Sequence, residues 1–122
     1  MSMSTFIIRG KIKPYVRMTQ RSKWTSPQAR EYLASKAAVG MQLRHQMNQS
    51  GAGMLPGQTP LSVHITIWEA GGFHNKDLDN QVKAIVDAAQ GIVFPDDRWI
   101  DQITAERKRG EGYATEMRID TL

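Results

Sequence analysis

Residues 61–91 read LSVHITIWEAGGFHNKDLDNQVKAIVDAAQG, and the parsing of this stretch decides the fold. Leu61, Val63, Ile65 and Ile67 alternate with Ser62, His64, Thr66 and Trp68, the period of a strand with one face turned to a core. Gly71-Gly72 ends it. Asn80 to Gln90 then carries Val82, Ile85, Val86 and Ala89 on one helical face, with Asp79 placed as N-cap. Asp79, Lys83 and Asp87 lie on a face rotated away from that stripe, so their chemistry would project from a helix anchored from behind. Asp77 and Asp79 are two residues apart, and in an extended segment their carboxylates leave the backbone on the same side.

Working outward, Thr5 to Ile12 places Phe6, Ile8 and Ile12 on one face and predicts a strand. Residues 13–25 break the pattern with Pro14 and a basic, polar run that reaches Trp24, and predict a long exposed loop. Ser26-Pro27 predicts a helix start, with Ser as N-cap and Pro at the first helical position. That helix is expected to run to about Asn48, with Ala29, Tyr32, Leu33, Leu43 and Met47 on one stripe. Gly40 shares the stripe and costs about 1 kcal/mol relative to alanine, which marks it as a point of close packing. Ser50 to Thr59 is a Gly- and Pro-rich loop. Ile100 to Lys108 and Tyr113 to Leu122 predict two strands joined by Gly110-Glu111-Gly112 as a hairpin. Trp68 and Trp99 flank apolar segments and are assigned to the core. The order β-α-β-α-β-β predicts an α+β fold, a mixed sheet with two main helices packed on it, and residues 1–122 are expected to form one domain.

Composition narrows the function. With no cysteine there is no disulfide framework, thiolate zinc site or Cys nucleophile. No apolar run approaches the roughly 18 residues that span a membrane, and the N-terminus does not read as a signal peptide. The expected location is the cytoplasm, with no membrane partner. The net charge of +4 is unevenly spread. Seven basic residues and no acidic one lie between Arg9 and Arg30, whereas Glu69 to Asp101 holds seven acidic residues against Lys76, Lys83 and Arg98. Basic residues attract phosphates and clustered carboxylates suit a cation, so the pair points to a phosphodiester held over a metal centre. Two solvated faces of opposite sign account for the composition equally well.

Asp77, Asp79 and Asp97, with Asp96 beside it, form the candidate metal set, since magnesium takes oxygen ligands from one or two carboxylates plus water and phosphate. Such an ion can activate water and neutralise the leaving oxygen. Taken singly, Asp79 reads as a helix cap and Asp96 as a turn residue. An EF-hand is excluded, because Val82 and Ala88 stand where the loop needs its sixth-position glycine and twelfth-position acid. Lys83 can stabilise charge on a phosphate or pair with Asp79 and Asp87 one turn away on either side. His74 can touch phosphate, assist proton transfer or have no role, and His45 and His64 make no zinc spacing. Trp24, among Arg21, Lys23 and Arg30, can stack on a base or pack on the sheet edge. No P-loop, Rossmann glycine pattern or nucleophile elbow is present.

Lys76-Asp77-Leu78-Asp79-Asn80-Gln81-Val82-Lys83-Ala84, then Asp87-Ala88 and Asp96-Asp97 before Ile100, resembles the RusA-type Holliday junction resolvases. Val16 to Trp24 resembles the basic N-terminal segment of phage-borne members, and Pro60-Leu61 opens the central strand as in the family. Asp87 to Asp97 is one residue shorter than in the best-known member, and Tyr15-Val16 interrupts a usually tighter Pro-Arg run. The resemblance implies that Asp77, Asp79 and Asp97 are catalytic metal ligands, Asp96 a possible substitute, and Lys83 the catalytic lysine. It implies Mg²⁺ as cofactor, with Mn²⁺ able to substitute, and a homodimer that cuts four-way DNA junctions in recombination and repair. Arg17, Arg21, Lys23, Lys13, Lys76 and Asn80 are the expected DNA contacts. The rival readings are an inactive branched-DNA-binding module and a metal-dependent hydrolase of a small phosphate ester.

Overall fold

The computed structural model describes residues 3–19, 26–71 and 74–122. Its elements run β1 (Met3–Arg9), α1 (Pro27–Ser50), β2 (Leu61–Glu69), α2 (Leu78–Ala89), a short 3₁₀ turn (Asp97–Trp99), β3 (Ile100–Arg109) and β4 (Ala114–Thr121). The fold is α+β, with a mixed four-stranded sheet in the order β1-β4-β2-β3. Ser26 caps α1 by accepting from the Ala29 N–H (3.3 Å), and Pro27 follows at the first helical position. Gly51 closes the helix in the left-handed conformation.

The core lies on one face of the sheet. Leu61, Val63, Ile65 and Ile67 point into it beside Phe6, Ile8, Met117 and Ile119, and both helices cover that face. Gly40 of α1 meets α2's C-terminal extension closely: a Cβ there would stand 3.3 Å from Ile92 Cδ1, which is the tight packing its position on the stripe predicts. The opposite face is polar. Trp68 is half-buried on that side and Trp99 half-buried near Gly57, and neither belongs to the apolar core to which the sequence pattern assigned them.

The expected β3–β4 hairpin does not form. β2 lies between the two strands, pairing parallel with β3 (Ile65 opposite Ala105) and antiparallel with β4 (Ile65 opposite Met117). The physical reason is burial. β2 is the most apolar strand and gains most from a partner on each side, whereas β3 is rich in charge and suits an edge. The connection passes over the end of β2, where the Gly110 N–H donates to Glu69 O (3.0 Å) and a Cβ on Gly110 would come within 3.2 Å of Trp68 Cβ. The other edge, β1, is closed by α1. The Gln46 amide accepts from Ile7 N–H (2.9 Å) and donates to Ile7 O (2.7 Å), and Gln42 does the same for Arg9 (2.8 and 3.0 Å). These side chains replace a neighbouring strand.

Candidate active site

α2 starts at Leu78, so Asp77 takes the extended N-cap position and Asp79 falls in the first turn. This corrects the expected start at Asn80 with Asp79 as cap. The earlier start follows from Leu78 packing against the core and from the Gln81 N–H donating to Asp77 O (3.2 Å). The two carboxylates therefore do not leave an extended segment side by side. Asp77 makes no side-chain cap bond. Asn80 links the pair instead, its N–H donating to Asp79 Oδ1 (3.0 Å) and its amide to Asp77 Oδ2 (3.5 Å). Both aspartates are exposed, and negative charge here is favoured by the helix dipole.

Asp97 lies at the other end of α2. Its N–H donates to Gln90 Oε1 (3.2 Å) at the helix C-cap, and Ile100, three residues on, pairs with Leu61 at the start of β2. Eleven residues of helix, about 16 Å of rise, separate the backbones of Asp79 and Gln90. Among the described residues no three Asp, Glu or His side chains gather as a metal-holding group. Asp96 is engaged locally, accepting from Arg98 N–H (2.9 Å) and pairing with Arg98 Nε (3.2 Å). The bond from the Arg98 backbone holds its carboxyl below the ordinary aspartate range. An oxygen-only donor set suits a hard divalent cation, and Asp77 with Asp79 supplies the one or two carboxylates that magnesium takes from protein.

Lys83 does not pair with Asp87. Asp87 Oδ2 accepts from the Tyr32 hydroxyl (2.6 Å) and pairs with Lys36 Nζ (3.1 Å). The Lys83 ammonium sits instead over the Tyr15 ring, 4.0 Å from its centroid. Burial, and then the bond to Asp87, push the Tyr32 hydroxyl well above its ordinary range, so it remains a donor.

Sequence reasoning missed a polar cluster beneath the site. Glu69 is 1% exposed, and its Oε2 pairs with Lys76 Nζ (2.8 Å) and accepts from Gln81 Nε2 (3.4 Å), while Oε1 has no hydrogen-bond partner. Arg107 Nη1 donates to Lys76 O (2.6 Å), so both ends of Lys76 are held immediately before Asp77. The signal was present in the strand's parity, since Glu69 continues the inward-facing series 61, 63, 65, 67. Of the expected DNA contacts, Lys13 and Arg17 are exposed, and Arg21 and Lys23, with Trp24, lie outside the described residues. Lys76 turns inward, its side chain only 20% exposed. Lys76→Met, which leaves Glu69 buried and unpaired, is expected to destabilise the fold by about 3 kcal/mol. Urea unfolding measures this, and unchanged stability would show that the pair contributes nothing.

Two exposed aspartates at the head of α2, with the basic segment bonded beside them through Tyr15 N–H to Asn80 O (3.0 Å), form a surface where a cation and a phosphate could be held together. The family model for endodeoxyribonuclease RusA matches residues 7–120. The chain belongs to the RusA endodeoxyribonuclease family, whose members act on branched DNA junctions. No match was found among curated protein sequences.

Proposed function

We propose that this protein is a homodimeric Holliday junction resolvase, a Mg²⁺-dependent endonuclease that cuts four-way junctions by paired nicks in recombination and repair. The observation that carries the reading is a family match over nearly the whole chain with Asp77, Asp79 and Lys83 grouped on the first turns of α2. Asp77 and Asp79 would hold the ion, and Asp97 would complete its protein ligands in preference to Asp96, which Arg98 already occupies. Bound there, Mg²⁺ supplies activation of the attacking water and neutralisation of the leaving oxygen. Lys83 would offset charge on the scissile phosphate, and Lys13, Arg17, Arg21 and Lys23 would grip the backbone without reading sequence.

The separation of Asp97 from Asp79 along α2 argues that two chains build each site. In this arrangement β3 pairs antiparallel with the β3 of a second copy. Asp101 then faces the Arg107–Arg109 end of the opposite strand, an attractive alignment repeated by the two-fold axis. The same end of β3 touches Lys76 through Arg107, so the partner's Asp97 arrives near Asp77. Ile103, 49% exposed, with Leu78, Val82 and Ala105 lines a shallow hollow beside Asp79 that the second copy would cover. Two equivalent sites also match the near two-fold symmetry of a junction.

The decisive experiment is cleavage of a synthetic four-way junction with and without Mg²⁺. Paired nicks in opposing strands, formed only with the metal, are the expected result. Salt-sensitive binding with no nicks would make the protein a junction-binding module, and turnover of small phosphate esters without junction affinity would make it a hydrolase of another kind.

A further inference from the structure

Tyr15 stands in the basic segment between β1 and α1, far from α2 in sequence, yet three contacts hold it against the candidate site. Its N–H donates to Asn80 O (3.0 Å), one residue beyond Asp79. Its ring meets Tyr32 edge-on, with centroids 5.5 Å apart and an interplanar angle of 80°. Tyr32 is itself buried and tethered through its hydroxyl to Asp87 (2.6 Å). Over the Tyr15 ring lies the Lys83 ammonium, 4.0 Å from the centroid. A lysine has four rotatable bonds and no intrinsic preference for one direction, so a fixed aromatic face is an effective way to select one position for its charge. With Asp87 engaged by Tyr32 and Lys36, that face is the contact the structure shows for the Lys83 ammonium.

We infer that Tyr15 is a positioning residue: it fixes the Lys83 ammonium over its ring, one helical turn from Asp79, and the Tyr32–Asp87 bond holds Tyr15 in place. This rests on Lys83 acting on the scissile phosphate. Because Tyr15 belongs to the basic segment proposed to grip DNA, its N–H to Asn80 O also ties that segment to the head of α2.

The test combines Tyr15→Leu, which keeps bulk and removes the aromatic face, with Tyr15→Phe, which keeps the face. Single-turnover cleavage at saturating protein is expected to fall about tenfold in Tyr15→Leu and to be retained in Tyr15→Phe, with junction affinity unchanged in both. NMR of the lysine ε-methylene protons gives a readout independent of activity. The Lys83 signal should be shifted upfield by the ring in the parent protein and in Tyr15→Phe, and should return to the position of the other lysines in Tyr15→Leu. Lys83→Ala separates the two levels. If Lys83→Ala cuts like the parent, the role given to Lys83 fails; if it loses activity while Tyr15→Leu does not, only the inference about Tyr15 fails. Adding Tyr15→Leu to Lys83→Ala should cost nothing further. A weakened junction affinity in Tyr15→Leu, or an equal loss of cleavage in the Lys83→Ala background, would assign Tyr15 to direct DNA contact and overturn the inference.

Discussion

Asp79→Asn is expected to reduce junction cleavage by about a hundredfold or more, because a full negative charge is removed from the ligand set proposed for the cation. The substitution is conservative in shape. Its amide oxygen can still accept the Asn80 N–H that Asp79 Oδ1 accepts at 3.0 Å, so the first turn of α2 should survive. The lost interaction with the helix dipole costs only about 0.3–1 kcal/mol, too little to unfold the domain. Junction affinity should stay within about twofold, since the proposed phosphate contacts lie in the basic segment rather than at this carboxylate. Gel-shift titration and single-turnover cleavage on the same preparation measure the two quantities. A variant that cuts at the parent rate would remove Asp79 from the mechanism.

Mixing Asp79→Asn protein with Asp97→Asn protein is expected to restore cleavage that neither shows alone. If each site takes Asp77 and Asp79 from one chain and Asp97 from its partner, a mixed dimer carries both defects in one site and none in the other. Random exchange makes half of the dimers mixed, with one intact site each, so nicking should recover to about a quarter of the parent level. The products should be single nicks rather than paired ones. A site built from one chain gives the opposite result, because both sites of every mixed dimer are then damaged. The premise is geometric: Asp97 is anchored to Gln90 at the far end of α2, while Asp79 sits in its first turn.

Much of the architecture was legible in the chain. The alternation of Leu61 to Ile67, the Ser26-Pro27 helix start and the apolar stripe of α2 all depend on local periodicity and capping, and each appears where the pattern places it. The β3–β4 pairing was not legible, because a Gly-Glu-Gly turn between two strands looks the same whether they touch or flank a third. The partners of Lys83 and Lys76 were hidden for a related reason. Spacing names the neighbours on a helix, Asp79 and Asp87 for Lys83, but the ring of Tyr15 arrives from 68 residues away, and Asp87 is claimed by a tyrosine on another helix.

The amino-acid order alone determined which segments are strands and helices, the basic and acidic division of the chain, and the carboxylate motif that resembles its family's. Those properties are carried by neighbours along the chain, through periodicity, capping and local charge. Tertiary structure alone decided that β2 lies between β3 and β4, that Glu69 and Lys76 form a buried pair beneath Asp77, and that Asp97 is held a helix length from Asp79. These follow from which surfaces are covered when the sheet and helices close on one core, a result of burial over the whole domain rather than of any short stretch.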